Sequence, residues 1–407
     1  MLLKLAWRNI WRNKRRSIIT LAAVIFATLM AIAMRGIQLG TYALNIKSVV
    51  ELFSGYLQIQ EKRYRDNPSL TYSFVVDKNI KEALNSTKGV LGYAPRVYAD
   101  GLISYKDNSR GAAIFGIEPE KENGVTTFIK NINAGKFFTS DSSNQIVVGD
   151  QLLKNLDAKI GDDIVILAQG FDGTLGNQKY KIVGTVKFGV QELEASLIFM
   201  GLKSAQSLLD MGSRVNVIAI KADNLNDLPE IDKSLSAKIK NPDLKVLSWT
   251  KVNPELEQSI QLDNVSGIFF LGILIVIVAF GILNTVLMSV IERFREFGVV
   301  LAIGMPQINL TYLVYLETII ITLIGLSAGN ILGAGVNYYF ILHPIVFGGE
   351  LKQLYEIYHF LPQLKSTLEP GIFVNVSLSI LIIALVSCFY PAYKVYKLEP
   401  LKGIRHT

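Results

Sequence analysis

One short segment of this chain has the spacing of a catalytic motif. Residues 325–329 read Gly-Leu-Ser-Ala-Gly and match G-x-S-x-G, in which a serine on a sharp strand-to-helix turn acts as a nucleophile. That chemistry needs a nearby histidine base, but His343, His359 and His406 are scattered and the motif lies in an apolar run. The same scatter argues against a metal site. We predict no catalytic residue and no metal ligand.

The sequence also lacks a nucleotide-binding loop. A P-loop requires G-x-x-x-x-G-K followed by Ser or Thr, whereas the only Gly-Lys pair, Gly135-Lys136, is followed by Phe137. We therefore expect this chain to bind no cofactor. Any ATP and Mg²⁺ that it depends on must be held by another polypeptide.

Four long apolar runs determine where the remaining residues lie. They begin at Ser17, Val265, Val299 and Gly371, and each contains roughly the 20 apolar residues that cross a bilayer as a helix. Pro344 and the following glycine pair favour a turn over a fifth span. An uncleaved first span is favoured over a signal peptide, because the run is long and no Ala-x-Ala site follows it.

The predicted fold is an α-helical membrane protein with four transmembrane helices and a large α+β extracytoplasmic domain between helices 1 and 2. That domain includes a predicted inserted subdomain at about 120–212. The only cysteine, Cys388, lies in the last span, so no disulfide supports the domain. The predicted segments are an amphipathic helix 1–16, first span and stalk 17–46, outer domain 47–255, stalk and second span 256–291, cytoplasmic connection 292–306, third span 307–342, outer loop 343–369, fourth span 370–393 and tail 394–407.

Basic residues predict the orientation of the chain in its membrane. Residues 1–16 carry six cations and no acid, and the tail after the last span carries four cations against Glu399. By the positive-inside rule both termini are cytoplasmic. The net charge of +7 comes from these two ends, which favours membrane lipids over nucleic acid as the partner.

The amino-terminal segment has the pattern of a helix that lies on the inner membrane surface. Leu3, Trp7, Ile10 and Trp11 fall on one side and basic residues on the other. Indole rings prefer the headgroup layer and the cations face lipid phosphates. The predicted lipid-anchoring residues are Trp7, Arg8, Trp11, Arg12, Arg15 and Arg16.

Three features of the last third are candidates for contacts between helices or proteins. Gly325, Gly329 and Gly333 form a small-xxx-small stripe for close helix packing. Glu317 is the only acid inside a predicted span, and a snorkelling or arginine-paired side chain is favoured over a proton relay. The connection between the second and third spans reads as a short charged helix that either docks a soluble partner or is a bare connector. Its predicted docking residues are Glu292, Arg293, Phe294, Arg295, Glu296, Phe297, Gly298 and Leu301.

That connection resembles the coupling helix of ABC transporter permeases of the FtsX-like superfamily, which includes macrolide-exporter and lipoprotein-releasing permeases. The family pattern is roughly E-R-x-R-E-I-G-x-x-R-A-L-G. Leu301 stands where this pattern has the arginine that precedes A-L-G. The tail resembles the family's ending through Pro391, Ala392, Pro400 and Arg405. Residues 54–70, just after the stalk, look most like the lipoprotein-releasing branch. The matching residues of the connection are Glu292, Arg293, Arg295, Glu296, Gly298, Ala302 and Gly304.

The resemblance implies a multi-pass permease of a bacterial inner membrane that converts ATP hydrolysis into movement outside the membrane. Its implied partners are a separate cytoplasmic ABC ATPase, a second permease copy or paralogue, membrane lipids, an acylated lipoprotein cargo and a periplasmic carrier. Lipoprotein release is the favoured activity. The alternatives are efflux or toxin export, regulation of cell-wall hydrolases, and a receptor without an ATPase.

Overall fold

The computed structural model describes residues 2–357 and 361–399. The chain divides into two compact units. The four-helix unit contains Met1–Ala43, Ile260–Val346 and Gln363–Thr407, and the α/β domain contains Leu44–Ser259 and Phe347–Pro362. The tail residues Pro400 and Arg405, together with His359 and His406, lie outside the described residues.

Four helices among the described residues are long and apolar enough to cross a membrane. The prediction of four spans, with an α and β domain between the first two, is confirmed. The helices of this unit are the N-terminal helix Leu2–Arg12, first-span helix Lys14–Val49, second-span helix Pro254–Glu292, coupling helix Phe294–Ala302, third-span helix Gln307–Leu342 and fourth-span helix Pro370–Tyr396.

Two helix boundaries differ from the predicted ones. The N-terminal helix stops at Arg12, so residues 14–16 belong to the first-span helix and not to one surface helix of residues 1–16. The coupling helix is shorter than the predicted 292–306, because Gly304 has a φ of +105° that ends it.

One mixed sheet organises the α/β domain. Its strands run in the order β12-β1-β11-β3-β4-β9-β6-β8-β5, and β7 pairs with β3 and β8. The β4–β9 and β6–β8 pairs are parallel and the others antiparallel. The strands are β1 Leu57–Glu61, β2 Phe74–Val75, β3 Val90–Tyr105, β4 Asn108–Ile117, β5 Ile132–Gly135, β6 Gln145–Gly149, β7 Asp163–Gln169, β8 Leu175–Val186, β9 Leu197–Gly201, β10 Arg214–Val215, β11 Val217–Ala222 and β12 Leu244–Ser248.

The helices of this domain are short and lie between the strands. The ones with seven or more residues are Lys78–Ser86, Leu202–Leu208, Leu228–Lys238 and Gly349–Ile357. Asp77 caps the first of them by accepting a hydrogen bond from the Ile80 amide at 2.8 Å. The remaining ones are Pro119–Asn123, Asp150–Asn155, Gln191–Glu194 and Trp249–Val252.

The predicted inserted subdomain stays a prediction, but its strands share one sheet with those of residues 56–117 and 215–249. Strands β5 to β9, which fall within the predicted insertion at 120–212, lie in the same sheet as β1, β3 and β11. The long strand β3 joins the two halves, because Val90–Arg96 pair with β11 whereas Gly101–Ser104 pair with β7. One apolar core contains residues from both halves, including Ile59, Ile103 and Ile182.

Candidate functional site

The coupling helix is fixed to the four-helix unit by its apolar side. Phe297, Gly298 and Leu301 are buried, and the two apolar side chains belong to a cluster with Val290, Leu310 and other residues of the spans. The docking prediction included these three residues, but the structure places them inside the unit. They hold the coupling helix in position and do not form its outer surface.

The outer face of the coupling helix consists of different residues. Arg295 and Val299 are exposed, and Ile303, just after the helix, is 82 % exposed. They lie four residues apart and therefore share one helix face. Val299 and Ile303 were missed by sequence reasoning, although this spacing, alternating with the buried Phe297 and Leu301, could have identified them.

Two of the predicted docking acids contact the amino-terminal region of the same chain. Arg12 Nη2 donates to Glu296 Oε2 at 2.5 Å, and Arg16 Nη2 donates to Glu292 Oε1 at 2.5 Å. Burial raises the pKa of Glu296, but hydrogen bonds and positive charge from Arg12 and Arg293 hold it below its usual range. Glu296 is therefore ionised at neutral pH.

A third acid completes this arrangement. Arg293 Nη1 donates to both carboxylate oxygens of Glu317, at 3.0 and 3.2 Å, and Asn9 Nδ2 donates to Glu317 Oε1 at 2.7 Å. Of the two predicted alternatives for Glu317, snorkelling or pairing with an arginine, the structure shows the pairing. We call the six residues Arg12, Arg16, Arg293, Glu292, Glu296 and Glu317 the charge network.

The N-terminal helix presents two different apolar surfaces. Ala6 and Ile10 are buried against the four-helix unit, whereas Trp7 and Trp11 are exposed with their ring centroids 6.0 Å apart. Among the predicted lipid-anchoring cations, Arg8 and Arg15 are exposed, while Arg12 and Arg16 contact the acids described above. Lipid anchoring itself stays a prediction.

The glycine stripe of the third-span helix faces the first-span helix. A Cβ atom on Gly329 would lie 2.5 Å from Thr28 Cβ and 3.0 Å from the Ile25 carbonyl oxygen. Equivalent atoms on Gly325 and Gly333 would meet Val24 and Ile32 at 2.6 and 2.9 Å. The two backbones can approach this closely only because these positions lack side chains.

The serine of the G-x-S-x-G segment has no catalytic setting. Ser327 lies within the third-span helix, where its hydroxyl donates to the Leu323 carbonyl at 2.8 Å. A nucleophile elbow needs a strand-turn-helix, so the motif match is a coincidence of apolar helix composition.

The α/β domain contains a buried ion pair that sequence reasoning missed. Arg96 of β3 and Glu122 are almost completely buried, and Arg96 Nε donates to Glu122 Oε2 at 3.0 Å. Arg96 also donates to the Tyr98 hydroxyl at 2.6 Å and to the Phe53 carbonyl. Within the α/β domain these contacts therefore tie β3 to the short helical segment Val50–Ser54 and to the helix Pro119–Asn123.

Comparison with known proteins identifies the family. The model of the FtsX-like permease C-terminal region matches residues 268–400, and the model of the MacB-like periplasmic core domain matches residues 17–238. The chain belongs to the FtsX-like permease family with a MacB-like core domain. It is an ABC transporter permease of the FtsX, MacB and LolC type.

Individual relatives of this permease share little sequence identity with it. The lipoprotein-releasing system transmembrane protein LolC of Neisseria meningitidis is 23 % identical, over 94 % of each chain. The macrolide export ATP-binding/permease protein MacB of Aggregatibacter actinomycetemcomitans is 22 % identical, over 79 % of this chain and 50 % of that protein. The crystal structure of the extracellular domain of the transporter YknZ aligns with 48 % of this chain and 100 % of that domain, with a TM-score of 0.36 and 13 % identity.

Proposed function

We propose that this permease extracts acylated lipoproteins from a bacterial inner membrane. The observation that carries the proposal is the alignment with a LolC protein over 94 % of both chains, which includes the four spans and the domain between them. The cargo stays on the outer side of the membrane, and its lipid anchors contact the apolar faces of the first and second spans.

In this proposal the energy comes from a separate ABC ATPase that binds the ATP and Mg²⁺. The ATPase docks on the outer face of the coupling helix, formed by Arg295, Val299 and Ile303. A small apolar area with one cation at its edge suits a groove on a soluble protein. A second permease copy or paralogue completes the complex.

The activity can be tested by reconstituting the purified complex in vesicles that contain a triacylated lipoprotein and supplying ATP and a soluble lipid-binding carrier. ATP-dependent transfer of the lipoprotein out of the vesicles supports the proposal. ATP-dependent transport of a macrolide without lipoprotein transfer would replace it with efflux. Activation of an added cell-wall hydrolase without either result would replace it with a regulatory role.

Reversing the charge at Arg295 is expected to weaken ATPase binding by about tenfold or more, since it removes the cation at the edge of the docking surface and places an anion there. Binding is measured by titrating the purified ATPase against Arg295→Glu in detergent. Arg110→Glu introduces the same charge change at an exposed position of the α/β domain and serves as the control. Equal affinity of Arg295→Glu and wild type would refute this docking surface.

The proposed orientation predicts which thiols a membrane-impermeant maleimide reaches. The native Cys388 is fully buried, so introduced cysteines report against a low background. Leu175→Cys, at a 69 % exposed position of the α/β domain, is expected to react in cells whose outer membrane alone is permeable. Ile303→Cys is expected to react only after the inner membrane is opened, and its labelling in intact inner membranes would overturn the orientation.

A further inference from the structure

The charge network connects two parts of the chain that are far apart in sequence. The coupling helix follows the second-span helix after the single residue Arg293, so a pull on it reaches that span through the backbone. The first-span helix has no such connection, because about 240 residues of other segments separate it from the coupling helix.

We propose that the charge network is the mechanical link through which the coupling helix moves the first-span helix, with Arg12 and Arg16 as positioning residues. This inference rests on the proposed function, since it concerns how movement caused by an ATPase passes through the permease.

The spacing of the ion pairs is suited to this task. Arg12 and Arg16 are four residues apart, as are Glu292 and Glu296, and they pair in opposite order. Arg12–Glu296 joins the N-terminal helix to the coupling helix, and Arg16–Glu292 joins the first-span helix to the second-span helix. Two chain segments joined at two such points resist both sliding and rotation against each other. Contact at a single point would permit both.

The two ion pairs lie on either side of a break between helices in each segment. Asn13 separates the N-terminal helix from the first-span helix, and Arg293 separates the second-span helix from the coupling helix. Asn13 Nδ2 lies 3.4 Å from Glu292 Oε2, and Arg293 contacts Glu317 on the third-span helix. The two breaks therefore lie side by side. Arg12, Arg16, Glu292 and Glu296 fix their positions relative to each other.

Stability alone is a poor explanation for the Arg12–Glu296 pair. The side chains of Arg12 and Glu296 are 53 % and 49 % exposed, and ion pairs at that exposure contribute little to the free energy of folding. Ala6 and Ile10 already bury the N-terminal helix against the unit. What the ion pairs add is a fixed geometry between the coupling helix and the base of the first span.

A cavity next to the breaks leaves room for a concerted shift. It has a volume of about 50 Å³, and its lining combines apolar side chains with the polar groups of Asn9, Asn13, Arg16, Arg293 and Glu317. The Nη1 atom of Arg16 is buried and has no hydrogen-bond partner among the described residues. Waters held by the polar side of a space of this size can rearrange around moving charges more easily than close-packed apolar side chains can.

The first test compares the amount of lipoprotein released per ATP hydrolysed in three variants of the reconstituted complex. Arg12→Glu with Arg16→Glu is expected to lower this ratio by about tenfold, within the range of typical coupling energies, while the ATPase still binds. Adding Glu292→Arg and Glu296→Arg restores opposite charges and is expected to recover most of the ratio. Lys4→Glu with Lys14→Glu makes the same change in charge at exposed positions outside the network and is the control.

The second test measures movement directly and does not depend on the cargo. Spin labels at Lys14→Cys and Ala302→Cys, both at exposed positions outside the charge network and the proposed docking face, report the distance between the base of the first span and the coupling helix, with and without ATP. A distance that stays constant in otherwise wild-type protein but changes with ATP in the Arg12→Glu, Arg16→Glu variant supports the link. Equal changes in both proteins, or an unaltered release ratio in the variant, would overturn it.

These readouts separate the two proposals. If the wild-type complex transfers no lipoprotein but the label distances behave as expected, the proposed cargo is wrong and the mechanical link stands. If lipoprotein transfer occurs but the charge-reversed variant couples normally, the cargo stands and the link is wrong.

Discussion

Replacing Glu122 by alanine is expected to destabilise the α/β domain by about 3–5 kcal/mol, the cost of leaving a buried charge without its partner. Arg96 would remain in an environment where its side chain is only 1 % exposed. Its remaining bonds, to Tyr98 and the Phe53 carbonyl, do not neutralise the guanidinium. The effect is measured as faster hydrogen exchange of the β3 and β4 amides in the purified full chain.

Glu118→Ala provides the matched control for this substitution. Glu118 lies four residues earlier and pairs with Lys121 at 2.8 Å on the surface, where loss of an ion pair costs less than about 1 kcal/mol. Similar exchange rates in the two variants would show that burial does not set the strength of the Arg96–Glu122 pair. Arg96→Met combined with Glu122→Leu tests the cause further, because two apolar side chains leave no uncompensated charge.

Replacing Gly329 by leucine is expected to separate the first-span and third-span helices and to destabilise the four-helix unit by about 1–3 kcal/mol or more. The Cβ alone would come within 3.0 Å of the Ile25 carbonyl, which is backbone and cannot rotate away. The measurement is the midpoint of SDS-induced unfolding of the purified protein, read as loss of helical circular dichroism.

Gly335→Leu is the appropriate comparison, because it lies on the same third-span helix and has open space where its Cβ would be. Both variants gain equally in apolar surface and helix propensity. A midpoint for Gly329→Leu that equals that of Gly335→Leu would show that the stripe does not determine packing between the two helices.

The four candidate membrane spans were accessible from sequence because they depend on composition over about 20 residues at a time. The third-span helix, Gln307–Leu342, coincides with the predicted third span. The strand order of the α/β domain was not accessible, because alternating strand patterns do not say which strands pair. Strand β3 changes its partner from β11 to β7 along its length, and no local pattern marks that change.

The partners of the charged residues were likewise not predictable from local sequence patterns. Glu317 was expected to snorkel or to pair with an arginine, because an unpaired acid inside a span costs free energy. Its position in the sequence did not identify Arg293 as the partner. The partners of Glu292 and Glu296 are 276 and 284 residues away in sequence, so these acids read as a free docking surface. Arg96 and Glu122 look like ordinary surface residues until the fold buries them.

The position of β1 also constrains how this protein is made. Leu57, soon after the first span, pairs with both Ile220 and Ser248. The ribosome synthesises β1 long before either neighbouring strand, so β1 exposes unpaired backbone until almost the whole domain has been translocated. Pairings this distant form slowly, and unpaired strand edges invite aggregation. The sheet of this domain is therefore completed at β1 only after Leu244–Ser248 has been synthesised.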